Sequence, residues 1–139
     1  MPTPTPAEEV LAATRRLLDA VAAADWKTYK ELVADDITCF EPEAQGQLVE
    51  GLPFHKFYFD LAGETSKGTS HVTTTLASPV VKMLSNDVAV VCYVRLVQKL
   101  DAAGSPVVAR GEETRVWVRG ASGWKHVHFH RSVPAIVTA

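Results

Sequence analysis

The chain has 139 residues, 47% of them apolar and 22% charged, with a formal net charge of −2 at pH 7. That length holds one domain and one core, and apolar content at the upper end for so short a chain places some of it at an interface. With no basic stripe and no basic cluster beside an apolar helix, nucleic-acid binding and membrane attachment are not expected.

The opening residues 1–6, Met-Pro-Thr-Pro-Thr-Pro, read as a flexible, extended tail, with neither the charged start nor the apolar stretch of a signal peptide. Residues 7–133 are assigned to one domain and 134–139 to a C-terminal tail. Residues 7–24 are predicted to form a helix, because Val10, Leu17, Val21 and Leu11, Leu18 keep the spacings of one face. Asp25 is the expected N-cap of a short second helix carrying Trp26, Tyr29, Leu32 and Val33. A short strand follows at Ile37–Phe40, then a loop at 41–46 punctuated by Pro42 and Gly46. A third helix is predicted from Leu52 to about Leu61, with Pro53 at its favoured first position and Phe54, Phe57 and Tyr58 presented together.

Beyond this point the period changes to two. Strands are predicted near 70–84, 87–100, 106–119 and 123–132, with hairpin turns at Asp101–Gly104 and Gly120–Gly123. Pro79 predicts a bulge or an edge position in the first of them. Helices followed by an antiparallel meander make an α+β domain. In the run Val88–Val97 both alternating faces are apolar, so the strand needs cover on both sides. The helices cover one; a second copy of the chain is the natural cover for the other.

Alternation places Arg95 in phase with Val91, Tyr93 and Val97, Arg115 with Glu113 and Trp117, and Arg131 with Val127 and Phe129. A guanidinium among apolar neighbours stays charged and demands anionic partners. Internal carboxylates such as Glu41, Glu43, Glu50 or Glu113 are one source, and a small carboxylate from solvent entering a cavity with surplus positive charge is the other. His55 is a candidate cavity donor. His126, His128 and His130 alternate toward the outer sheet face, where ring hydrogen bonds at a subunit contact explain them better than a metal ion does. Cys39 and Cys92 read as buried free thiols of a reducing, cytoplasmic compartment. No phosphate-binding glycine loop, nucleophile elbow or Cys-x-x-Cys motif is present, and no cofactor or metal is expected.

Five motifs occur together in order: Phe-Glu-Pro-Glu-Ala-Gln-Gly at 40–46, Glu-Gly-Leu-Pro-Phe-His-Lys-Phe-Tyr-Phe at 50–59, Tyr-Val-Arg-Leu-Val-Gln at 93–98, Glu-Glu-Thr-Arg-Val-Trp at 112–117 and Val-His-Phe-His-Arg-Ser at 127–132. Over about residues 8–133 the chain closely resembles the association, or hub, domain of calcium/calmodulin-dependent protein kinase II. The resemblance implies a cone-shaped fold like nuclear transport factor 2, a curved antiparallel sheet wrapped around N-terminal helices with a deep pocket. It implies a homo-oligomer of dimers, about ten or more subunits in two stacked rings. The matching pocket residues are His55, Arg95, Arg115 and Arg131, with Tyr58, Glu41 and Tyr93 as further candidates and a small carboxylate as the ligand. The alanine-rich first helix and the Met-Pro-Thr-Pro start favour a stand-alone homologue over an excised hub. The loop at 62–70 lacks the aromatic expected of animal hubs, and His126 stands where an aliphatic residue is expected. The same fold hosts isomerases, dehydratases and cyclases, which makes a small-molecule enzyme the alternative function. No catalytic residue is assigned, since His55 is the only obvious base among the arginines.

Overall fold

The computed structural model describes residues 2–65 and 72–133. The first helix, α1, spans Pro6–Ala22, with Pro6 at its first position. Thr5 is its N-cap in a reciprocal capping box: the Thr5 side chain accepts from the Glu8 amide at 3.2 Å, and the Glu8 carboxylate accepts from the Thr5 amide at 3.0 Å. The helix therefore claims Pro6, and its cap claims Thr5, from the predicted tail. Val10, Thr14, Leu17 and Leu18 form its buried stripe; burying each leucine contributes about 1.5–3 kcal/mol. The second helix, α2, spans Trp26–Leu32, capped by the Asp25 carboxylate on the Thr28 amide at 3.1 Å.

Val33 was expected on that helix but opens the first strand, β1, at Val33–Phe40. The β-branched Val33 and Ile37, with Cys39, are buried there, so packing overrides the helical periodicity. A 3₁₀ turn at Pro42–Ala44 follows, and then a two-residue strand, β2, at Val49–Glu50, paired antiparallel with β1. Two residues are too few to show a period, and β2 was not anticipated. Helix α3 runs Pro53–Thr65, past the predicted end at Leu61. It takes up the start of the predicted loop at 62–70, while 66–70 and the predicted tail at 134–139 lie outside the described residues.

Strands β3 (Thr73–Ser85), β4 (Val88–Leu100), β5 (Pro106–Gly120) and β6 (Gly123–Ser132) form the expected antiparallel meander. The six strands make one curved sheet in the order β2-β1-β6-β5-β4-β3, and β1 joins β6 in parallel. Among the described residues, only this pair departs from an antiparallel sheet. Both expectations for Pro79 hold: β3 is an edge strand, and its register shifts between Ala77 and Val80, where Ser78 takes φ +51°. Helix α1 packs on β3 and β4, and α2 on β1 and β6, so the core lies in the concavity.

Strand pairing decides which side chains face the helices. Ala89, Val91 and Tyr93 pair with Trp117, Arg115 and Glu113, and all six are buried. Their alternates Val88, Val90, Cys92 and Val94 are half-buried on the outer face, where Val80, Val108 and Val118 are exposed. Cys92 is thus a half-buried thiol; both cysteines are free. A bulge interrupts the β5–β6 register: Val116 pairs with His128 but Trp117 pairs with His126, leaving Val127 extra. This overturns the expected outward direction of His126, which is fully buried beneath the helices. The three histidines of β6 therefore do not share a face.

Candidate functional site

A cavity of about 260 Å³ opens between the helices and the inner face of the sheet. Inner-face pairing brings Arg95 from β4, Arg115 from β5 and Arg131 from β6 to its wall, and α3 adds His55. Glu41 reaches the wall from the end of β1, and Glu43 from the 3₁₀ turn that Pro42 starts.

At the inner end Glu113 holds two guanidiniums. Arg115 donates to its Oε1 from Nη2 at 2.7 Å and from Nε at 3.2 Å, and Arg95 donates to Oε2 at 3.2 Å. The Tyr93 hydroxyl donates to Oε1 at 2.6 Å and accepts from Arg115 Nε at 2.7 Å. Burial alone would push the Glu113 carboxyl up; the Arg115 and Arg95 charges overcome this and hold it at about 2. The Arg115 guanidinium also lies 4.5 Å over the Phe129 ring. His126 Nε2 lies 3.4 Å from Arg115 Nη1, while its Nδ1 and Arg95 Nε have no hydrogen-bond partner among the described residues. Burial, and then the Arg115 charge, keep His126 neutral by pushing its pKa well below the ordinary value.

At the mouth Arg131 donates from Nη2 to both Glu43 oxygens and lies 3.8 Å from Glu41 Oε2. Burial first, and then the neighbouring Glu43, push the Glu41 carboxyl up. Three guanidiniums thus meet three carboxylates, Glu41, Glu43 and Glu113. Of the two sources the sequence leaves open, the described site holds the internal carboxylates, which leave no surplus positive charge among the described residues. Glu50 is exposed on β2.

At the wall, Glu41 and His55 converge with Cys39, which stands behind them. Cys39 Sγ is 3.7 Å from His55 Nε2 and 3.8 Å from Glu41 Oε1, and His55 Nδ1 is 3.8 Å from that same oxygen. Burial, followed by the Arg115 charge, lowers the His55 pKa to about 4, so the ring is neutral. Burial, followed by the Glu41 charge, raises the Cys39 thiol to about 12.

Of the residues singled out from the sequence, Glu41, His55, Tyr58, Arg95, Arg115 and Arg131 line the cavity. Tyr93 stands behind the wall as a link between Glu113 and Arg115. Tyr58 contributes its ring, packed 5.2 Å from Phe54. Sequence reasoning missed Tyr29, Phe59 and Phe129 at the wall and the inward His126. Periodicity marked the aromatic rings only as core, and a one-residue bulge has no signature in Lys125-His126-Val127.

The curved sheet around helices, enclosing a polar pocket, defines the nuclear-transport-factor-2-like class. A superfamily protein of that name from Salmonella enterica shares the fold at 24% identity, with a TM-score of 0.75 over 96% of this chain and 94% of that one. Residues 6–135 match the calcium/calmodulin dependent protein kinase II association domain. The delta subunit of calcium/calmodulin-dependent protein kinase type II from Oryctolagus cuniculus is 41% identical over 125 residues, which cover 90% of this chain and 23% of that subunit. The hub homology domain of Chlamydomonas reinhardtii is 47% identical, with a TM-score of 0.81 over 91% of this chain and 97% of that chain. The hub of S. rosetta is 45% identical, with a TM-score of 0.80 over 96% and 100% of the two chains. The chain belongs to the association-domain family of calcium/calmodulin-dependent protein kinase II.

Proposed function

We propose that the protein is a self-assembly domain whose copies pair through the outer sheet face, the pairs closing into two stacked rings of about ten or more subunits. The observation that carries this is the outer face of β3–β5: Val80, Val108 and Val118 are exposed and Val88, Val90, Val94 and Val116 only half-buried in the single chain. An apolar stripe of that extent on the convex side of a sheet calls for cover, and family membership supplies the kind of cover: another hub. The free thiols Cys39 and Cys92 fit a reducing, cytoplasmic setting. No helix among the described residues is long and apolar enough to cross a membrane.

The pocket serves as a receptor for a small carboxylate. Support comes from Arg131, the guanidinium at the mouth, and from the buried Arg95 Nε without a hydrogen-bond partner. Because the site is already charge-balanced, an incoming carboxylate binds by displacing Glu43 from Arg131, not by filling a positive void.

Native mass spectrometry with light scattering tests the assembly. The expected mass is that of about ten or more subunits, and Val90→Glu, at the centre of the outer face, reduces it while circular dichroism stays that of the folded chain. A monomer at micromolar concentration, or full-size assemblies of Val90→Glu, overturns the reading.

A further inference from the structure

Cys39 meets Glu41 and His55 through long sulfur contacts, and the His55–Glu41 contact is too long for a hydrogen bond. An N–H···O hydrogen bond spans about 2.7–3.2 Å, yet His55 Nδ1 and Glu41 Oε1 are 3.8 Å apart. The carboxylate of Glu41 meets Cys39, His55 and Arg131 each at 3.8 Å, so none of them holds it closely. The Glu41 side chain is only 12% exposed and that of His55 6%, so both are largely withdrawn from bulk solvent while lining the cavity. Ligand atoms sharing a four-coordinate zinc ion, with Zn–S near 2.3 Å and Zn–N or Zn–O near 2.0–2.2 Å, lie about 3.3–3.6 Å from one another. The two sulfur contacts, 3.7 and 3.8 Å, are within a few tenths of that spacing. One donor atom from each of the three residues lies within 4.8 Å of the others.

We infer that Cys39 Sγ, one ring nitrogen of His55 and a Glu41 oxygen form a site for a divalent ion of the zinc class. The thiolate–imidazole–carboxylate set selects zinc, cobalt or copper over magnesium or calcium, which take oxygen ligands. The three ligands come from two pieces of the fold, the end of β1 and α3. Cys39 is fixed by its pairing with Val49 on one side and Phe129 on the other, His55 by α3, and Glu41 by the strand end beside them. Glu41 is the loosely held member, and the three donor atoms, within 4.8 Å of one another, have to draw together to the zinc spacing. Two nearby guanidiniums do not forbid a cation, because Arg115 is committed to Glu113 and Arg131 to Glu43. Glu41 and His55 lie on the cavity wall, so the fourth position of the ion faces the cavity, open to water or to a small anion. The metal is thus a binding function of the chain separate from assembly through the outer face.

The test is a titration of the chelator-treated full chain with Co²⁺ alone. One equivalent is expected to bind with a thiolate-to-cobalt charge-transfer absorption and the visible bands of a four-coordinate ion. Zinc displaces it and magnesium does not. Cys39→Ser, which changes one atom, removes the charge-transfer band and weakens cobalt binding by about 100-fold or more, while circular dichroism confirms the fold. Cys92→Ser and His128→Ala leave the titration unchanged. A folded wild-type protein that shows no charge-transfer band at millimolar cobalt overturns the inference, as does a band that survives in Cys39→Ser. The subunit number, read on the same samples, reports on assembly independently of either result.

Discussion

The two ends of the arginine cluster use the same chemistry under different burial. At the inner end the Glu113 side chain is 0% exposed and that of Arg115 4%, with Tyr93 and Arg95 completing the shell. At the mouth Arg131 is 21% exposed and Glu43 38%, and Glu43 stands on a turn of three residues. An ion pair sealed from water cannot lose one member without stranding the other, whereas a half-exposed pair exchanges partners at little cost. The inner cluster is therefore scaffold, and the mouth is where the proposed carboxylate would compete. Sequence alone ranks all three arginines together, since each is an in-phase cation on an apolar strand; depth in the cone separates them.

The largest effect that sharpens this contrast is at Glu113. Replacing it with alanine leaves Arg95 and Arg115 without their shared carboxylate, and urea unfolding is expected to show a loss of about 3–5 kcal/mol. A loss below about 1 kcal/mol, the range of an exposed pair, would erase the distinction between the two ends. Glu43→Gln should change stability by no more than that, because its pair is half in water.

The mouth is then probed by binding. Arg131→Ala is expected to abolish the thermal shift produced by short carboxylates in the wild type. Glu43→Gln, which removes the internal competitor but keeps its shape, strengthens carboxylate binding by about tenfold, or ~1.4 kcal/mol. Equal shifts in wild type, Arg131→Ala and Glu43→Gln would leave Arg131 with a purely structural role. Weaker binding in Glu43→Gln would mean that Glu43 assists the ligand instead of competing with it.

Much of this was legible because the meander is built from long strands with clear turns: each predicted strand from Val88 onward lies within a residue or so of its observed ends. The three arginines were legible for the same reason, since a cation in phase with Val91, Trp117 or Phe129 has only the interior to enter. What escaped has local causes. The strand at Val49–Glu50 is too short to carry a period, and the parallel pairing of β1 with β6 joins segments from opposite ends of the chain. Pro42 starts the turn that carries Glu43 back toward the Arg131 that also faces Glu41, a geometry that the pair Glu41-Pro-Glu43 does not announce.

The smallest effect concerns His126, which the Val127 bulge turns inward. Its neighbours are Arg115 and Trp117 on β5 and Phe129 on β6; burial first, then the Arg115 charge, oppose its protonation, and the nearby His55 and His128 rings would oppose it further once protonated. The unfolded chain binds a proton at this residue near its ordinary pKa of 6.5, while the folded chain does not. Stability must therefore fall as pH drops below about 6.5, since the unfolded state then carries more protons. His55 adds to the same slope between 6.5 and about 4. Glu113 has the same sign further down, its contribution being lost as pH falls from about 4.5 to about 2. His126→Ile removes one of these groups and also the Nδ1 that lacks a partner, at the cost of a long contact to Arg115. At pH 7.5 the variant should match the wild type within about 1 kcal/mol. Between pH 7 and pH 5, with protein concentration fixed so that assembly does not intrude, its urea midpoint should decline less steeply, the remaining slope being that of His55 partly offset by the raised Glu41 carboxyl. If wild type and variant lose stability in parallel, His126 exchanges its proton with water in the folded state, and the bulge does not seal it.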